Sequence, residues 1–200
     1  QVLNWLGVAY LPYPLNPCSL AANLPVWLFF TAYAPVMGTC ALLAMAAFLR
    51  ELDLSRPAAL FGGVIYAWQG DLLPFVLPGH YAYITTWPFF AVAAWGALHA
   101  QRWPYAVISG VSCGLMVGLQ PDRGGIASLL IAALYLAPAL RQVAERRVIL
   151  RQLVLCVVVA LLVSFAALLA LYTGNSAGVK MSGETNRQQA YNFVTQYSLG

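Results

Sequence analysis

The stretch QLVLCVVVALLVSFAALLALY, residues 152–172, carries no charged side chain from end to end. At 1.5 Å per residue a helix of this length rises about 31 Å, enough to cross the roughly 30 Å of hydrocarbon in a bilayer. A polar backbone is tolerated in hydrocarbon only when its own hydrogen bonds are made internally, so the stretch reads as a membrane-spanning helix. Working outward from it, charge-free windows also occur at 24–49, 57–70, 83–100, 104–119 and 124–140. The pattern predicts an all-α polytopic transmembrane bundle of six helices over residues 24–172. It leaves 1–23 as a partial extracytoplasmic loop and 173–200 as a partial extracytoplasmic segment.

The second window is short. Only the residues between Arg56 and Asp71 are free of charge, giving about 21 Å of helix. Either the helix starts further back, towards Leu52, with Arg56 snorkelling, or Asp71 lies within the outer edge of the membrane among neighbouring helices.

Composition agrees with a membrane chain. Of 200 residues 62% are hydrophobic and 8% charged, whereas soluble domains carry roughly 25% charge. The 13% aromatic content excludes a disordered tract. The net charge of +4 comes mostly from arginines scattered between apolar stretches, which suits helix orientation and not nucleic-acid binding, for which the cations would cluster on one face. Cys18, Cys40, Cys113 and Cys156 stand far apart with no CxxC, so neither a zinc site nor a disulfide framework follows. The start at Gln1 and the stop after a polar stretch at Gly200 suggest a piece of a longer protein.

Orientation follows from the arginines when successive connections are assigned alternately to the two sides. Arg50, Arg56, Arg102, Arg141, Arg146, Arg147 and Arg151 fall on one side, and Arg123, Lys180 and Arg187 on the other. The positive-inside rule then places both ends of the chain outside the cytoplasm, in a multi-pass protein. Gly110, Gly114 and Gly118 recur every fourth residue, and Gly62 and Gly63 sit in the short second helix; both sets predict close helix packing. His99, at the cytoplasmic end of the third span, reads as a surface residue.

The residues suited to chemistry lie on the outer side. The loop 69–81 is rich in Pro and Gly yet apolar, and carries Asp71 and His80. Asp71 is a candidate general base or metal ligand. His80 is a candidate to orient a phosphate or to complete an oxygen and nitrogen shell around a divalent metal such as Mg or Mn. The plainer alternatives are a helix-end Asp and an interfacial His. A second outer turn, 120–125, holds Asp122 and Arg123. Asp122 reads either as the cap of the fifth helix or as a substrate contact, and the forked donors of Arg123 suit a phosphate. The tyrosines and Phe193 of 174–200 suit a segment lying on the outer membrane surface.

Two stretches carry a family resemblance. FLRELDLSRPAALFGGVIYA, residues 48–67, and YNFVTQYSL, residues 191–199, resemble segments of the bacterial YfhO-like membrane proteins. These are similar to the GT-C glycosyltransferases, multi-span enzymes of the bacterial cytoplasmic (inner) membrane. The resemblance implies transfer of a sugar from a polyprenyl-phosphate donor to a cell-envelope acceptor on the outer side. An acidic residue in the first outer loop is the usual base of that superfamily, and a further one sits in the next outer loop. Asp71 falls at the position of the further acid, with His80, Asp122 and Arg123 as substrate-binding candidates. Residues 1–23 contain no Asp or Glu, so a first-loop base would have to precede Gln1. The competing reading is a non-catalytic lipid or polysaccharide transporter or flippase, although such proteins place ionisable groups or broken helices near the bilayer midplane, and the spans here have almost none.

Overall fold

A computed structural model describes residues 25–68, 81–141 and 144–176. All its regular structure is helical. In chain order the helices are α1 (Val26–Glu51), α2 (Arg56–Trp68), α3 (Tyr81–Leu98), α4 (Trp103–Leu119), α5 (Pro121–Arg141) and α6 (Arg146–Ser176). The chain divides into two compact units, Gln1–Leu168 and Leu169–Gly200, and the cavities of the helical bundle belong to the first.

Three helical stretches are long and apolar enough to cross a membrane: Trp27–Glu51, Arg123–Arg141 and Arg146–Phe165, with mean hydropathies of 1.8, 1.6 and 2.6. Ile84–Leu98 and Trp103–Leu119 are shorter apolar stretches. The helix at the second window, α2, has 13 residues and rises only about 20 Å.

That helix does not reach back to Leu52, so a backward extension does not account for its length. The reason is local. Asp53 adopts φ 62°, its N–H bonds to the Arg50 carbonyl at 3.1 Å, and the Leu54 N–H bonds to the Leu49 carbonyl at 3.4 Å. This pair of bonds around a left-handed residue is the Schellman termination, which satisfies the last carbonyls of α1 and turns the chain. Arg50 Nη1 donates to the Leu54 carbonyl at 2.7 Å and reinforces the turn. Ser55 then starts α2: its hydroxyl accepts the Ala58 N–H at 3.4 Å, as an N-cap does. Asp71, on which the other explanation depends, lies outside the described residues.

A second connection is tighter than expected. Gln120 alone separates α4 from α5. Its N–H donates to the Met116 carbonyl at 2.9 Å and its carbonyl accepts the Gly124 N–H at 2.7 Å, so one residue both closes α4 and opens α5. Helix α5 therefore begins at Pro121, and Asp122 is its second residue, not its cap.

Helix α1 packs on α2 and α3, α3 on α4 and α5, and α4 on α5. Small residues set these contacts. A Cβ on Gly63 would stand 2.6 Å from the Leu42 carbonyl oxygen, bringing α2 onto α1. On Gly110 and Gly114 it would stand 2.6 Å from the Cys156 and 2.7 Å from the Ala160 carbonyl oxygens, bringing α4 onto α6. Gly63, Gly110 and Gly114 thus serve the close packing predicted for them. The interior has two clusters that meet along α3: Phe29, Tyr33, Ala34, Ala41, Ala67, Ile84 and Trp87, and a larger one built from α3 to α6 around Met116, Ile131 and Tyr135. The outward faces are also apolar, with Phe61, Leu129, Leu140 and Leu162 each more than 60% exposed. An exposed apolar surface of this extent is expected where lipid, not water, covers the protein.

Candidate site at the Arg123 end of the bundle

The charged side chains divide by position. Glu51, Arg102, Arg141, Glu145 and Arg146 all lie at or beside the same helix ends, with Arg50, Asp53, Arg56, Arg147 and Arg151 close by in sequence. Contacts tie that end together: Trp95 Nε1 donates to Glu51 at 3.5 Å, His99 Nε2 lies 3.5 Å from Glu51 Oε2, and the Gln101 amide donates to Glu145. Among the described side chains, Arg123 is the one charge at the opposite end, where α4 closes and α5 opens.

His99 is not simply a surface residue. It is half-buried, stacked on Tyr105 with ring centroids 4.4 Å apart. Its Nδ1 lies 3.1 Å from the Trp95 carbonyl oxygen. His99 thus braces α1, α3 and α4 at the arginine-rich end, a contact between residues 48 apart in sequence for which local pattern holds no signal.

At the other end Arg123, Gly124 and Ala127 of α5 share a cavity of about 220 Å³ with Tyr66 of α2, Thr86, Trp87 and Phe90 of α3 and Met116 of α4. Three features build it. Gly124 lets the first turn of α5 lie on the last turn of α4, since a Cβ there would stand 2.3 Å from the Met116 carbonyl oxygen. Pro88 lies within α3, where it contributes no backbone donor. Around this turn hydroxyls link the helices: Tyr66 OH donates to the Trp87 carbonyl at 2.9 Å, and Tyr33 OH and Thr85 Oγ1 share a buried hydrogen bond of 2.6 Å. The result is a cavity lined by aromatic and hydroxyl-bearing side chains together with one guanidinium.

Of the four residues predicted from sequence, Arg123 lines this cavity and is exposed. Asp122 is its neighbour in the first turn of α5. Asp71 and His80 lie outside the described residues. Sequence reasoning does not single out Tyr66, Thr86 or Trp87; the one signal it holds for them is the Thr85-Thr86 pair just before Pro88 in an otherwise apolar helix. No three His, Cys, Asp or Glu side chains converge as a metal site among the described residues. Chemically, a guanidinium beside an aromatic wall suits an anion joined to a flat or ring-shaped group. No protein family, curated protein or solved structure matches this chain.

Proposed function

We propose that this chain is the six-span part of a bacterial inner-membrane glycosyltransferase, GT-C-like in architecture, that transfers a sugar from a polyprenyl-phosphate donor to an extracytoplasmic acceptor. The observation that carries the reading is Arg123, the one described cation at its end of an apolar bundle, on a cavity with an aromatic wall. In this reading the arginine-rich end faces the cytoplasm and the Arg123 end faces outward. Arg123 holds the donor phosphate, and its charge stabilises the phosphate as it leaves, the electrostatic contribution usually being the largest in such a step. Asp71 serves as the base or metal ligand and His80 and Asp122 as substrate contacts. Trp68 and Tyr81, the helix ends that flank Asp71 and His80 in sequence, both belong to the Arg123 end.

A second reading, a non-catalytic lipid or polysaccharide transporter or flippase, draws on one observation: among the described residues the cavity is lined by a cation but by no carboxylate. The test is transfer of labelled sugar from polyprenyl phosphate by membranes carrying the full-length protein. Loss of a charge-assisted hydrogen bond costs about 1.5–3 kcal/mol, so Arg123→Gln is expected to slow transfer by about 10- to 100-fold, and Asp71→Asn to abolish it. Near wild-type transfer by both variants removes this site. Binding of the lipid-linked sugar without transfer by the wild-type protein selects the second reading.

A further inference from the structure

Cys113 and Cys156 are both buried in the interior, at 2% and 4% exposure, and neither is in a disulfide. They belong to α4 and α6 and line the same cavity between these helices, with their side chains within interacting reach of each other. The glycines place that contact at the closest point of the pair. Gly110, one turn before Cys113, lies against the Cys156 carbonyl, and Gly114, next after it, lies against the Ala160 carbonyl. The two helices are therefore in backbone contact on either side of Cys113, which favours the short separation that a disulfide between them requires.

The pair is also reachable, and from an unusual direction. Both cysteines line a second cavity of about 220 Å³, walled by α4, α5 and α6 and apolar apart from the hydroxyls of Ser128 and Ser164. Its rim includes Leu129, Val157 and Leu161, at 71%, 46% and 55% exposure, on the apolar outer face. An apolar molecule dissolved in the bilayer therefore has a path to the thiols that a charged, water-soluble reagent lacks.

We infer that Cys113 and Cys156 form a dithiol modification site, entered from the lipid side and closed to a disulfide by uncharged, membrane-permeant two-electron oxidants. In the step, the two thiols give up two protons and two electrons and one S–S bond forms between α4 and α6. With a diazenedicarboxamide as oxidant, its N=N bond takes up both electrons and both protons and becomes the hydrazine. A thiol reductant reverses the step by exchange.

The experiment is peptide mapping of the full-length protein in native membranes, treated with an uncharged diazenedicarboxamide, then denatured in N-ethylmaleimide. The expected result is one joined species containing the Cys113 and Cys156 peptides, about 2 Da lighter than their sum, with both sulfurs unalkylated until dithiothreitol is added. Cys156→Ser should leave Cys113 fully alkylated after the same treatment. Oxidised glutathione, charged and water-soluble, should leave the wild-type pair reduced. Recovery of both wild-type peptides alkylated after the diazene overturns the pairing, whether or not the serine variant folds. Protection of Cys113 in a folded Cys156→Ser protein also overturns it, and equal oxidation by glutathione overturns the lipid-side route.

Discussion

Gly124 and Gly125 are adjacent in the first turns of α5, yet the same substitution should act on them with opposite sign. In a helix Gly→Ala is intrinsically favourable by up to about 1 kcal/mol, because alanine loses less backbone freedom on folding. At Gly125 a Cβ meets nothing within 4 Å, so Gly125→Ala should be neutral or stabilising by up to that amount. At Gly124 the Cβ would stand 2.3 Å from the Met116 oxygen, 2.4 Å from the Met116 carbon and 2.7 Å from the Val117 nitrogen. All three are backbone atoms and none can rotate aside. Relief requires α5 to lift off α4, which the one-residue connection at Gln120 resists. Overpacking of this kind typically costs about 1–3 kcal/mol, and the rigidity of the neighbours puts Gly124→Ala at the upper end, a net loss of about 2 kcal/mol. With roughly 2–4 °C per kcal/mol for a chain of this size, the two variants should differ in midpoint by about 4–12 °C. Thermal unfolding of the purified protein in one detergent, followed by tryptophan fluorescence, measures the difference. Equal midpoints, or a Gly124→Ala protein as stable as wild type, would refute the argument that this glycine lets α5 seat against α4.

Other consequences can be checked in parallel. In a background without the four native cysteines, single cysteines at positions 80 and 186 should be labelled from outside intact cells and one at 146 should not; labelling at 146 would reverse the proposed orientation. Thr85→Val deletes the buried hydrogen bond to Tyr33 and should lower stability by about 0.6 kcal/mol, the average for such bonds between membrane helices, seen as a midpoint drop of about 1–3 °C. The contact between Glu51 and His99 is partly exposed, so a double-mutant cycle with alanine at both positions should give a coupling below about 1 kcal/mol; a larger value would mean that this end of the bundle is better shielded from water than its exposure implies.

What could be read from the chain by itself was the one-dimensional part of the fold. A bilayer sets a length for apolar stretches, and a helix satisfies its backbone within its own sequence, so charge-free windows translate directly into helices. Five of the six windows correspond to the apolar helical stretches found. Arg50 and Arg56 correctly bracket the turn between α1 and α2, but the Schellman geometry at Asp53 decides where α2 starts, and a left-handed Asp cannot be told from any other turn Asp by composition. In the same way Pro121 and Gly124 announced a turn, while the sharing of Gln120 between two helices depends on how α5 rests against Met116.

The sites divide along the same line. Arg123 was legible because a cation interrupting apolar sequence is costly and therefore conspicuous. Tyr66, Thr86, Trp87 and the Glu51–His99 brace were not, because each acts through other helices, the Tyr66–Trp87 and Glu51–His99 partners standing 21 and 48 residues apart. Cys113 and Cys156 stand far apart in sequence with no CxxC, and taken singly a buried thiol is a small apolar filler. Helical periodicity says which residues share a face of one helix, but it carries no information on which face meets which. That choice is made by the glycines of α4 and α2, whose missing side chains let particular backbones touch, and only the packed bundle reveals which ones they are.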